Sequence, residues 1–164
     1  MKQLFVILAI VIGLGSCATV KDKAQRLAEE RRDMARLSDS LSARTLTIDF
    51  DYVIPQRMPP HHLTSNYSVR IQGDSVVSYL PFFGVAYDTD FSNQDRSPLD
   101  FQERLSAYDV AQPKADRFDV TLVTRRNRET LIYRIEMFSN GHATLHVNSS
   151  SREGISFNGT AKLE

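Results

Sequence analysis

The apolar residues of this chain follow three different spacings along its length. Residues 4–14 are apolar throughout, residues 20–43 place apolar side chains at helical intervals, and from residue 44 onward apolar and polar residues alternate. A spacing of three to four residues is typical of an amphipathic helix, and a spacing of two is typical of a half-buried strand. The pattern therefore predicts a short apolar leader, one helix and a β domain.

The predicted helix has a narrow apolar stripe. Residues 29–33 are all charged, and the apolar positions are Ala24, Leu27, Met34, Leu37 and Leu41. A stripe this narrow fits either a solvated stalk or a helix that packs on the sheet, and both alternatives stay open for residues 17–43.

The β domain is predicted to comprise residues 44–164. Its first strand runs to Pro55, with an inward set of Leu46, Ile48, Phe50, Tyr52 and Ile54. The pair Pro59-Pro60 then predicts a loop from Gln56 to Leu63.

The next two strands form a predicted hairpin around Gly73-Asp74. The apolar positions of these two strands are Tyr67, Val69, Ile71, Val77 and Tyr79. Alternation then stops at Pro81 and Gly84, which indicates a bend. The stretch from Tyr87 to Pro98 is the longest predicted loop.

The second half of the domain repeats the same alternation. Apolar positions at every second residue predict strands within 118–122, 131–137, 143–147 and 155–161, and a less regular strand near 101–110. Asn140-Gly141 is the strongest hairpin signal in the chain. The predicted fold is mainly β, at most α+β, with an antiparallel meander of eight or nine strands. A sandwich and a partly closed barrel both fit.

The apolar leader ends in a cysteine. Lys2 precedes the run from Leu4 to Leu14, which is shorter than the roughly 20 residues of a membrane-spanning helix and suits a secretory signal peptide. The closing sequence Leu14-Gly15-Ser16-Cys17 resembles a lipobox, where the thiol receives a diacylglyceryl group with acyl chains such as palmitate. We expect residues 1–16 to be a signal peptide, cleaved before a lipid-bearing Cys17.

The residues after the cysteine bear on localisation. In many Gram-negative lipoproteins an aspartate in the place of Ala18 retains the protein in the inner membrane, so Ala18 favours the outer membrane. Export to the cell surface often depends on an acidic cluster, which Lys21-Asp22-Lys23 matches poorly. We expect a lipid-anchored protein on the periplasmic face of the outer membrane, and the sequence leaves surface exposure open.

Composition narrows the classes of partner. Lys plus Arg and Asp plus Glu are each 20, and loss of Lys2 with the leader leaves 19 − 20 = −1. A near-neutral chain lacks the broad basic field that attracts nucleic acid, so no nucleic-acid partner is expected. Cys17 is the sole cysteine, which excludes an intramolecular disulfide.

Several segments of the β domain are similar to a known family. They are His62 to Val69, Gly73 to Gly84, Gly141 to Val147 and Ile155 to Gly159. Over roughly residues 44–164 the chain resembles domain of unknown function family 4251, which comprises secreted or lipid-anchored proteins of Bacteroides-type bacteria, and Leu80-Pro81-Phe82-Phe83-Gly84 is its most distinctive match. That family commonly has a tyrosine in the place of Phe82 and an arginine in the place of Val85, so this chain departs there. The resemblance implies an envelope lipoprotein, without an activity or catalytic residues.

Four histidines raise the question of a metal site. His142 and His146 lie on one face of a predicted strand, about 13 Å apart along it. His61-His62 falls in the predicted loop. Because a catalytic metal needs about three converging ligands, surface histidines are the simpler interpretation, and no metal or cofactor is expected.

Two acidic groups also invite a chemical interpretation. Asp88, Asp90 and Asn93 begin like a calcium loop, but Asn93 stands where glycine is needed and Leu99 where a bidentate glutamate is needed, so a polar loop is expected. Asp49 and Asp51 resemble an acid–base pair, yet outward positions in a strand are explained as solubility charges. GxSxG, SxxK and HExxH patterns do not occur, and no catalytic residue is predicted.

Tyr79, Phe82, Phe83 and Tyr87 are the strongest candidates for a binding surface. Four aromatic residues this close together, around Pro81 and Gly84, cannot all alternate onto one buried face. Some of them fit a patch for a ligand or partner, and the alternative is that a bent strand uses them to close one end of the domain.

These observations favour a non-catalytic binding or scaffold module of the cell envelope. It is expected to attach to the membrane through the lipid on Cys17 and to bind an envelope protein, a glycan or an apolar ligand. One alternative is a periplasmic hydrolase or metal-dependent enzyme that uses the histidines or Asp49 and Asp51. Another is an inhibitor-like protein that acts on an envelope enzyme through the loop from Tyr87 to Pro98.

Overall fold

The computed structural model describes residues 16–87, 97–126 and 128–162, so the apolar leader lies outside the described residues. Within these ranges the chain forms a helix, α1 (Ser16–Ser42), followed by eight strands. The strands are β1 (Thr45–Pro55), β2 (His61–Gln72), β3 (Ser75–Tyr79), β4 (Asp100–Lys114), β5 (Arg117–Arg126), β6 (Glu129–Phe138), β7 (His142–Ser149) and β8 (Ile155–Lys162).

The strands close into a barrel. Each strand pairs antiparallel with the next one along the chain, and β8 pairs with β1. The prediction of a mainly β antiparallel meander with one N-terminal helix is confirmed. Between the two arrangements that the sequence leaves open, the chain adopts the barrel, and its closure is complete.

Side chains fill the barrel interior, as expected for eight strands. Every second residue of β6 points inward, and Tyr133 at its centre is fully buried. The hydroxyl of Tyr133 lies 3.0 Å from Oγ of Ser78, which donates a hydrogen bond of 2.7 Å to the carbonyl oxygen of Leu99. Burial raises the pKa of Tyr133 far above its ordinary value of 10.0.

The C-terminal half of α1 packs against one end of the barrel, which we call the helix end. Met34, Leu37 and Leu41 are buried there in the same apolar cluster as the barrel core. The hydroxyl of Tyr108 on β4 donates a hydrogen bond of 2.7 Å to the carbonyl oxygen of Leu41. Residues 23–32, by contrast, are all exposed. The helix is therefore solvent-exposed over residues 23–32 and packed against the barrel over its last turns.

Among the described residues, no helix is long and apolar enough to span a bilayer.

A bulge in β1 changes which of its residues face inward. The pairing of β1 with both neighbours shifts register between Phe50 and Tyr52. The expectation that Tyr52 and Ile54 point into the core is therefore wrong: both are half-exposed, and Val53 is buried. An extra residue at a bulge reverses the alternation that follows it.

Gly159 of β8 lies opposite this bulge. A Cβ atom there would lie 2.0 Å from the carbonyl oxygen of Asp49 and 2.8 Å from Cα of Phe50. The two backbones approach so closely at this point that only glycine fits between them.

The inward face of β3 also differs from the expectation. The turn at Gly73-Asp74 pairs Ile71 with Val76, which places Val76 and Ser78 inside. Tyr79 consequently points outward and is 47% exposed, so Val77 and Tyr79, the apolar positions that mark this strand in the sequence, are not its inward positions. The register of a hairpin is set by its turn, and here the turn overrides the more apolar face.

Two predicted boundaries were also wrong. The loop after β1 covers only residues 56–60, because β2 begins at His61 and pairs His61 with Val53. The histidine pair His61-His62 therefore lies on a strand. The irregular strand predicted near 101–110 is part of β4, which continues to Lys114.

Candidate functional site

The two tyrosines among the four predicted aromatic residues, Tyr79 and Tyr87, differ in their surroundings. Tyr79 is 47% exposed and stacks on Tyr67 of β2, with ring centroids 5.2 Å apart and an interplanar angle of 30°. Tyr87 is 66% exposed, and its backbone N–H donates a hydrogen bond of 2.8 Å to the carbonyl oxygen of Ser151. Both side chains are therefore among the large apolar residues that the barrel leaves exposed.

Phe82 and Phe83 help to close the barrel at the end opposite α1, which we call the loop end. Both are partly buried and pack against the core cluster. The guanidinium carbon of Arg152 lies 5.9 Å from the ring centroid of Phe82, and His61 meets the ring of Phe83 edge-on at 5.1 Å. The two tyrosines are thus largely exposed, and the two phenylalanines pack against the core at the loop end.

A buried carboxylate that the sequence did not reveal fastens the loop end. The side chain of Glu153 is only 3% exposed. Its Oε1 accepts a hydrogen bond from Arg57, and its Oε2 accepts one of 3.0 Å from the backbone N–H of Val85. Three loops that are distant in sequence are joined in this way. Nothing in the local pattern around Glu153 distinguishes it from a surface glutamate, because its partners come from other loops.

A concave site lies beside the β1 bulge. Phe50 pairs with Tyr67 and Tyr52 pairs with His62, so four residues of β2, 63–66, lie opposite the single residue Asp51. A groove of about 240 Å³ lies at this irregular pairing. Its lining comes from β1 (Asp49, Phe50, Asp51), β2 (Leu63, Thr64, Ser65, Asn66, Tyr67) and β8 (Thr160). We call this site the bulge groove.

The two carboxylates of the bulge groove are not equivalent. Asp49 forms an ion pair of 2.6 Å with Lys162 of β8. Among the described residues, none forms an ion pair or hydrogen bond with the side chain of Asp51, which is exposed. The groove therefore carries one carboxylate whose charge is offset and one whose charge is not, and its field repels anions.

The four histidines lie on two different strands that are not neighbours in the barrel. His61 and His62 begin β2, and His142 and His146 lie on β7. Nδ1 of His146 is 2.7 Å from Oγ of Ser156. In the part of the chain that the structure covers, no three His, Cys, Asp or Glu side chains are grouped closely enough to hold a metal ion.

Two predictions concern residues that the structure does not describe. The calcium-like sequence of Asp88, Asp90 and Asn93 lies outside the described residues, as does most of the loop from Tyr87 to Pro98. The inhibitor-like alternative, which depends on that loop, stays a prediction.

The comparisons with known proteins give a family. The sequence model of the family described as "Domain of unknown function (DUF4251)" matches residues 28–161, well over half of the chain. The chain belongs to this family. Membership covers the last turns of α1 and the whole barrel, and the resemblance drawn from the sequence is confirmed.

A solved structure agrees with the fold. The crystal structure of a DUF4251 family protein from Bacteroides eggerthii DSM 20697 superposes with a TM-score of 0.59 at 12% sequence identity, covering 79% of this chain and 86% of that chain. At this identity the likeness shows the fold alone. No curated protein matches the chain.

Proposed function

We propose that this DUF4251 protein is a lipid-anchored, non-catalytic binding or scaffold module of the bacterial cell envelope. It attaches through lipid on Cys17 to the outer membrane and presents its barrel on the periplasmic side. The main support for the proposal is the length and continuity of α1. The helix runs without interruption from the residue next to the expected lipid site to the turns that dock on the barrel.

The exposed part of α1 suits a spacer. From Cys17 to Asp33 the helix advances 16 residues, which corresponds to about 24 Å at 1.5 Å per residue. Residues 23–32 are exposed and include Glu29, Glu30, Arg31 and Arg32 on the solvated faces. A lipid at Cys17 would therefore hold the barrel clear of the headgroups while leaving its surface accessible.

The chemistry of the anchor supports a stable attachment. One acyl chain binds a membrane only marginally, whereas two or three chains on one residue hold a protein firmly. The lipobox-like sequence ending at Cys17 is where a diacylglyceryl group would be added. The family's name, a domain of unknown function, assigns no activity, so the binding role rests on the barrel surface described above.

Membrane fractionation of the native host tests the proposal, with two variants of neighbouring residues. Wild-type protein is expected in the outer-membrane fraction, resistant to protease added to intact cells. Cys17→Ser should leave that fraction, because the hydroxyl cannot accept the lipid. Ala18→Asp should remain membrane-bound but move to the inner membrane. An unchanged distribution of Cys17→Ser would contradict the anchor, and digestion of the wild-type barrel on intact cells would contradict the periplasmic orientation.

A further inference from the structure

We infer that the bulge groove is a binding site for one ring of a neutral carbohydrate. This inference rests on the proposed binding role and names the site and the ligand class. The bulge groove exists because both strands that form it depart from regular pairing at the same place: Asp51 of β1 faces residues 63–66 of β2. The close approach of Gly159 to Asp49 holds β1 in this irregular path from the other side.

The polar side chains of the bulge groove suit hydroxyl groups. Thr64, Ser65 and Asn66 are exposed, and within the described residues none of these three side chains, nor that of Asp51, makes a hydrogen bond to the protein. They offer one acceptor-only group, two hydroxyls that donate or accept, and one amide that does both. A sugar hydroxyl is both a donor and an acceptor, so it can satisfy every member of this set.

The apolar part of the bulge groove suits the carbon face of a sugar ring. Leu63 and Tyr67 line the groove on the β2 side and pack partly against the core, which fixes their positions. Tyr67 is held further by its stacking on Tyr79. A rigid aromatic side chain beside hydrogen-bonding groups gives contact area at little cost in conformational entropy.

Charge and size restrict the ligand further. Because Asp49 is offset by Lys162 and Asp51 is not, the charge of the bulge groove disfavours phosphorylated or acidic ligands, and the choice of a neutral ring rests on the side chains that suit hydroxyl groups. The volume of about 240 Å³ is below the roughly 300 Å³ at which sites for drug-sized ligands begin. The bulge groove therefore takes a single ring, either of a free sugar or of one unit in a longer glycan.

NMR titration of the ¹⁵N-labelled full chain tests the site. The probes are glucose, galactose, mannose and N-acetylglucosamine, each as the monosaccharide and as a tetrasaccharide, at up to about 20 mM, enough to detect a millimolar Kd. At least one probe should shift the backbone amides of residues 49–51 and 63–67. Tighter binding of the tetrasaccharide identifies a unit within a glycan, and equal binding identifies a free sugar.

Matched variants locate the contacts. Asp51→Asn and Asn66→Ala should each weaken the binding about tenfold, since the first replaces a charge-assisted hydrogen bond to the ligand with a weaker neutral one and the second removes a hydrogen bond. Asp109→Asn and Asn148→Ala, which change exposed residues on β4 and β7, should leave it unchanged. The inference is overturned if no probe shifts these amides, if the shifts lie elsewhere, or if all four variants bind alike. The titration does not depend on the lipid, so a negative titration would overturn the sugar site and leave the proposed lipid anchor untouched. Conversely, a protein that binds sugar but carries no lipid in its host would refute only the lipid anchor.

Discussion

Replacing Gly159 with alanine tests the geometry on which the bulge groove depends. The added Cβ atom would lie 2.0 Å from the carbonyl oxygen of Asp49, whereas a carbon–oxygen contact normally requires about 3.3 Å. The backbones of β1 and β8 must therefore separate by about 1.3 Å, and no rotation of a side chain can relieve the contact. Overpacking of a core costs about 1–3 kcal/mol, and a clash between two backbones belongs at the upper limit.

We therefore expect Gly159→Ala to lower the free energy of unfolding by about 3 kcal/mol, which corresponds to a fall in Tm of about 12 °C for a domain of this size. Gly73→Ala is the matched control. Gly73 has a φ of 57° and nothing within 4 Å of an added Cβ, so its cost is backbone strain alone, about 1 kcal/mol. Thermal and urea unfolding followed by circular dichroism measure both. Equal losses for the two variants would refute the close approach of β1 and β8.

Three further changes probe other parts of the molecule. Arg57→Ala should lower the free energy of unfolding in urea by about 1–3 kcal/mol, because the buried carboxylate of Glu153 loses a hydrogen-bond partner. In the double variant with Glu153→Ala, the loss of stability should differ from the sum of the two single losses. Strictly additive losses would contradict the contact. Burial raises the pKa of Tyr133 above 10.0, so the stability that this side chain contributes is complete below pH 10 and is lost at higher pH, where the unfolded chain ionises first. In urea unfolding, Tyr133→Phe should therefore lose stability less steeply with rising alkaline pH than the wild type. An identical pH dependence in the two proteins would contradict the burial of Tyr133. Leu37→Ala should lower the free energy of unfolding by about 2–4 kcal/mol or increase protease cleavage within α1, because Leu37 is buried against the barrel. Leu27→Ala, at a position 46% exposed, should do neither. Equal effects of the two variants would contradict the docking of the helix.

The fold class followed from alternation because a closed barrel keeps one face of each strand inside. The strands β5 to β8 show this most simply, since the pairing in each hairpin there is unbroken. Complete closure could not be predicted, because the pairing of β1 with β8 joins residues at opposite ends of the domain. No local pattern carries that information.

The two errors about which residues face inward share a physical cause. The inward positions of β1 after Phe50 and those of β3 depend on a bulge and on a turn, each of which moves side chains to the other face by a shift of one residue. Alternation in the sequence shows that successive side chains point to opposite faces, but it does not show which of the two sets faces inward. At the bulge, between Phe50 and Tyr52, the inward set changes, and the bulge groove lies at the same place. The least predictable part of β1 is therefore also the part proposed to bind a ligand.

The candidate site was only partly accessible from the sequence. Asp49 and Asp51 were identified as a possible pair, and both line the bulge groove. The polar residues 64–66 were assigned no role, because a run of small polar residues after a loop resembles any solvated strand. The contact between Glu153 and Arg57 was missed because its two residues are far apart in sequence.

Mass spectrometry of the N-terminal peptide from protein isolated in its native host tests the central claim most directly. The account predicts a peptide that begins at Cys17 and carries a diacylglyceryl group on the thiol. A peptide that still contains residues 1–16, or one with an unmodified Cys17, would contradict it.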